Sequence, residues 1–225
     1  MVYKTVSISM AESLGLKRPE YGVTYHEQKD QGSDQYCGAA SAQMVLESIG
    51  AGAIDQEDLY TGCKTCSADD QRDWDSAPDG LVCTLNQHRP ASFPGSFRLW
   101  ELPSEEAISR KLCWAIEQGV APIVLTSGGS HWIVVVGYEA SALPRSSTDT
   151  AYQIIRFDVC DPEAGFPDQP IYYCPDVAPS KEKHYWVRDR MTDVDTGFWR
   201  GKYLAICDPD PPADIPAVPM HFVKN

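Results

Sequence analysis

Apolar positions along the chain follow two different periods, and the change from one to the other divides it. In SDQYCGAASAQMVLESIG (33–50), Ala42, Val45, Leu46 and Ile49 recur at helical spacing, with Ser33 or Asp34 available as a cap and Gly50 as the stop. This predicts a helix whose first turn holds Cys37. From Ser104 to Gln118 a second apolar stripe, Ala107, Ile108, Leu112, Ala115 and Ile116, ends at Gly119. The pattern then changes to short β-branched runs at 121–126, 131–140 and 151–159, with a fourth at 202–207, separated by loops rich in Gly, Ser and Pro. Helices precede strands instead of alternating with them, so the expected class is α+β, with two lobes and an antiparallel sheet.

The remaining segments carry weaker signals. Residues 1–25 have no period and end near a Pro-Glu-Tyr-Gly turn signal, which suggests an arm packed on the domain. Residues 51–102 offer a short helical candidate at 55–60. After it comes a stretch rich in Asp, Gly, Ser and Pro, expected to be irregular and to shape a substrate pocket. Residues 208–225 hold several prolines and read as an extended tail. No repeat or low-complexity linker interrupts the chain, so residues 1–225 are expected to form a single domain.

Composition narrows the function more than the fold. With 43% hydrophobic residues the chain can bury a sizeable core, and its formal charge is −13, from 32 acidic against 19 basic side chains. No Lys/Arg cluster exists to follow a phosphate backbone or an anionic bilayer, so neither nucleic acid nor membrane is expected as a partner. The acidity is read as a solvated surface. No basic segment followed by an apolar run marks a secretory leader, which points to the cytoplasm. Export as an effector or toxin by a signal-less route would leave the same sequence.

The eight cysteines are then expected to be mostly reduced. Cys63 and Cys66 form a CxxC pair that Cys83 or His88 could complete as a zinc site, or that could form a disulfide. With no second CxxC, loop cysteines without a shared role are the expectation, and no cofactor is assigned. Asp69, Asp70, Asp73 and Asp75 lack the spacing of a calcium loop and read as a solvated segment. Trp186, Trp199 and Tyr203 lie in strand-rich segments and read as core.

Cys37 carries the chemistry. A helix N-terminus favours a thiolate, and Gly38, Ala39 and Ala40 leave the sulfur open to a carbonyl. Alone, such a cysteine would be an inert core thiol. Gln31, six positions earlier, could add a side-chain amide to the Cys37 backbone N–H as an oxyanion donor. In QGSDQYCGAAS the chain resembles the papain-like cysteine peptidases, whose motif is Gln, five residues, Cys, Gly and small residues opening a long helix. The pattern continues in GGSHWIVVVGYE and RFDVCDPEAG, which look most like the bacteriocin-processing, double-glycine branch.

The resemblance spans roughly residues 28 to 163. It implies a papain-like two-lobed fold in which Cys37 is the nucleophile, His131 its base, Asp161 the acid that orients the imidazole, and Gln31 the oxyanion donor. Asp158 competes for the orienting role, and Trp132, beside His131, is the substrate-contact candidate. The implied reaction is hydrolysis of a peptide bond in a peptide or protein substrate through a thioester. A glutamine deamidase, a transglutaminase, or a peptidyl transferase like the phytochelatin synthases would use the same triad. A papain-like module that only binds would leave it idle.

Overall fold

A computed structural model describes residues 2–5, 23, 26–31, 34–68, 71, 73–93, 95–162, 191–195 and 197–207. Among these, four helices pack against a six-stranded antiparallel sheet, which is the expected α+β class.

Helix α1 (Cys37–Ser48) begins at the predicted thiol and is buried without a break from Cys37 to Leu46. Its start differs from expectation, and its end falls at the expected Gly50. Asp34 belongs to a two-residue strand, β3 (Asp34–Gln35), paired with β2 (Asp30–Gln31), and Tyr36 takes the N-cap position without a side-chain cap. Nothing polar therefore covers the opening turn from its own cap. At the other end Ile49 is the C-cap and Gly50 turns the chain away at φ +88°, a conformation that suits glycine.

Residues 51–102 are far more regular than their composition suggested. Helix α2 (Gln56–Cys66) starts where Asp55 accepts a hydrogen bond from the Glu57 N–H, and it runs well past Tyr60. Helix α3 (Pro78–His88) opens on a proline, where its missing N–H costs nothing, and buries Leu81 and Leu85. Gly80, which read as a loop residue, is a packing residue: a Cβ there would lie 2.3 Å from the Cys63 carbonyl oxygen, so only glycine lets α2 and α3 approach this closely. Cys66 and Cys83 form a disulfide across these two helices, while Cys63 is a free, buried thiol. The CxxC pair is thus neither a redox pair in itself nor a set of loop cysteines. Strand β4 (Arg98–Leu102), also unpredicted, follows at the edge of the sheet.

The sheet is built around β6 (His131–Ala140). One edge of β6 pairs first with β5 (Ile123–Thr126) and then with β1 (Val2–Thr5), and the other edge pairs with β7 (Ile154–Cys160). Beyond β5 come β8 (Tyr203–Cys207) and β4. The β6 residues after His131 are all buried, so both faces of the strand are covered, with α1 and α4 (Glu105–Glu117) packed on it. This explains a strand that reads as a continuous apolar run without polar alternation. Of the N-terminal segment, residues 2–5 form a strand of the sheet opposite Gly137–Ala140. The rest of that segment, apart from Val23, and the tail from residue 208 lie outside the described residues, as does Trp186. Trp199 is buried in the core and Tyr203 packs half-buried against it. No described helix is long and apolar enough to cross a membrane.

Helix α4 is held at its start by Ser104, whose Oγ accepts from the Ala107 N–H at 3.2 Å, with Glu105 and Glu106 in the first turn. Ser104→Ala is expected to cost about 1 kcal/mol. Calorimetry should show a melting temperature lower by roughly 2–4 °C, and an unchanged value would contradict the cap.

Candidate active site

Three elements meet at the head of β6. Helix α1 brings Cys37 in its first turn, β6 opens on His131, and Asp161 follows the last residue of β7. The register fixes this meeting: Val134 lies opposite Cys160, so the chain leaving β7 passes alongside the first residues of β6. The Pro162 carbonyl then accepts the Gln28 N–H at 3.0 Å, which ties this corner to the segment entering α1.

His131 Nε2 lies 2.7 Å from Asp161 Oδ1, and the His131 side chain is also hydrogen-bonded to Cys37. Both partners of the His–Asp contact are close to nine-tenths covered, with side-chain exposures of 12% and 11%. Burial opposes the imidazolium, but the hydrogen bonds and charges of Asp161 and Cys37 outweigh it and push the His131 pKa up to about 10. The carboxylate on the ring belongs to Asp161. Asp158 is a fully buried residue of β7 opposite Gly137.

Three other buried thiols have a different environment. Burial pushes Cys63 up to about 11 and raises Cys113 and Cys160 as well, all three against forming a thiolate.

Cys37 opens on a cleft of about 450 Å³. One wall is the loop before α3, with Asp73, Trp74 and Ser76; the other is the loop Ser127–Ser130 that leads into His131. Trp132 lines the cleft with a ring that is nearly all buried, and its Nε1–H donates to the Ser76 carbonyl at 2.9 Å. The indole braces the first wall against β6. Gly38 is needed for the same join, since a Cβ on it would lie 2.3 Å from Ser76 Cβ. The small residue after the thiol thus serves packing between α1 and the wall loop as well as access.

Gln31 lies in β2 opposite Asp34, and its side chain is outside the described residues. Of the acidic segment read as solvated, Asp73 and Asp75 turn toward the cleft. Trp74, Ser76 and Asp195 are cleft residues that the sequence did not single out. The helix-start proline at 78, with Leu81 and Leu85 one turn apart, was the available signal for the first two, because it marks residues 73–77 as a short connection between packed helices. Nothing in the sequence signalled Asp195. No group of three or more His, Cys, Asp or Glu side chains suited to a metal occurs among the described residues.

A helix-borne thiol facing a histidine at the head of a sheet strand is the arrangement of papain-like cysteine peptidases. The match to known families agrees: a model of the Peptidase_C39 like family covers residues 20–165, and the chain belongs to that family. No curated protein matches it.

Because the folded protein holds the His131 proton more tightly than the ordinary value of 6.5, the linked stabilisation is full below about pH 6.5 and is lost as pH rises through about 10. In Asp161→Asn the main support of the cation is gone. Histidine ring NMR should show the His131 titration falling by more than about one pH unit, and stability at pH 6 should drop. An unchanged titration would contradict the assigned contact.

Proposed function

We propose that the chain is a thiol peptidase in which Cys37, His131 and Asp161 act as one unit. The supporting observation is the His131 ring, held between a carboxylate and the thiol that lines the cleft. With Nε2 turned to Asp161, Nδ1 is the nitrogen that exchanges a proton with Cys37.

The cysteine sulfur attacks the scissile carbonyl as a thiolate, its proton residing on His131. The C–S bond forms as the carbonyl π electrons move to oxygen. The oxyanion is received by the Cys37 N–H at the helix start and by the side-chain amide of Gln31, a role carried by the papain-like resemblance. The tetrahedral species collapses, the C–N bond breaks, and His131 gives its proton to the departing amine. Water then attacks the thioester, His131 takes the water proton, and the C–S bond breaks to release a carboxylic acid and restore the thiolate–imidazolium pair. Asp161 stays ionised throughout and orients the ring.

The substrate is a peptide segment lying between the 73–76 wall and the 127–130 loop, with Trp132 at its edge.

Iodoacetamide at substoichiometric dose, followed by peptide mass spectrometry, should label Cys37 ahead of Cys63, Cys113 and Cys160. Cys37→Ala should abolish peptide cleavage. His131→Ala should slow Cys37 labelling at pH 7 by at least about tenfold. Preferential labelling of another cysteine, or full cleavage by Cys37→Ala, would overturn the reading.

A further inference from the structure

The loop that leads into His131 is strained, and a segment far along the chain holds it. Thr126 and His131 are paired across β5 and β6, so Ser127–Ser130 must reverse the chain in four residues. They do so with three successive left-handed residues: Ser127 at φ +55°, Gly128 at +70° and Gly129 at +101°. For Ser127, which has a Cβ, that conformation costs on the order of 1–3 kcal/mol and persists only when its surroundings impose it.

The imposing element is residues 191–195. Thr192 Oγ1 accepts the Gly128 N–H at 2.8 Å, and the Asp195 N–H donates to the Gly128 carbonyl at 2.9 Å, so both polar groups of one peptide residue are held from the same strap. The side chains press on the same two glycines. A Cβ on Gly128 would lie 2.8 Å from Asp195 Oδ2, and one on Gly129 would lie 3.0 Å from Val194 Cγ1.

The strap is itself fixed. Val194 is buried, its N–H donates to the Lys202 carbonyl at 2.9 Å, and its carbonyl accepts the Gly201 N–H at 2.8 Å. That turn feeds β8, which pairs with β5 through Ile206 and Ala205. The circuit from β5 through the loop, strap and β8 back to β5 is closed. It also lies partly outside the span matched by the family, which ends at residue 165.

We infer that the 191–195 strap sets the position of the His131 imidazole against Cys37, and that Thr192 is a positioning residue of the site. This rests on the triad reading given above. Losing the Oγ1 contact frees the Gly128 N–H to turn toward water, relaxes Ser127 toward an ordinary conformation, and lets the head of β6 move away from α1. The thiol then loses the imidazole that favours its anion.

The test uses the full-length chain and the rate of Cys37 alkylation by iodoacetamide as a function of pH, with thermal melting alongside. Thr192→Val keeps the side-chain shape and removes the acceptor, Thr192→Ala removes both, and Thr192→Ser restores the acceptor. Thr192 is exposed, so neither of the first two replacements disturbs the core. Thr192→Val and Thr192→Ala should each lower the rate at pH 7 by roughly three- to tenfold and move the labelling profile to higher pH, and Thr192→Ser should return both to wild type. A lower melting temperature with an unmoved pH profile would overturn the inference while leaving the triad reading standing. A His131→Ala profile identical to that of the wild type would overturn the triad reading and the inference with it.

Discussion

The contact between His131 and Asp161 is the interaction on which the rest of the site depends. A carboxylate and an imidazole 2.7 Å apart, both nearly covered by protein, would be costly to bury separately; together, and with the Cys37 thiol on the ring, they keep a proton on the histidine well above its ordinary range. In the proposed reaction that proton has to be on the ring before the peptide arrives, because Cys37 would attack as a nucleophile only after giving it up. The architecture can be seen as the means of holding three side chains from separate segments in this order. The helix start delivers the sulfur, the β6–β7 register delivers the carboxylate, and the β5–β6 loop sets the ring between them.

Each of these deliveries depends on packing some distance from the reacting atoms. Gly38 lets α1 lie against Ser76, and Trp132 locks that wall to β6 through the Ser76 carbonyl. The wall loop lies within the stretch of chain closed by the Cys66–Cys83 disulfide, so its two ends are fixed by α2 and α3. On the other side the loop before His131 is clamped by Thr192 and Asp195. The cleft therefore draws on the family-matched region and on the segment after it.

The segments that meet at the head of β6 were more legible in the sequence than the scaffold around them. Cys37 and His131 stand beside strong local signals, a helix start and an apolar strand, whereas the next strand offered Asp158 and Asp161 alike, and it is the folded register that puts Asp161 on the ring. Helix α1, α4 and strands β5 to β8 could be placed by periodicity to within a few residues. Helix α3 could not, because Gly80 and the polar residues around it resemble a loop until the close approach of α2 is known. Strand β4 is a half-exposed edge with weak alternation, and β1 is stabilised by a partner more than a hundred residues away. The strap at 191–195 has no local pattern at all. Its role arises from hydrogen bonds to Gly128, and long-range backbone pairing of that kind leaves little trace in residue type.

A covalent intermediate distinguishes this account from any in which the cleft only binds. The most direct measurement is intact-protein mass spectrometry of the enzyme quenched in acid within the first turnover of an activated peptide ester. A mass increase equal to the acyl portion, mapped to Cys37 and lost in Cys37→Ser or on treatment with hydroxylamine, is the predicted result. Steady release of the peptide acid with no adduct on Cys37 at any quench time would contradict it.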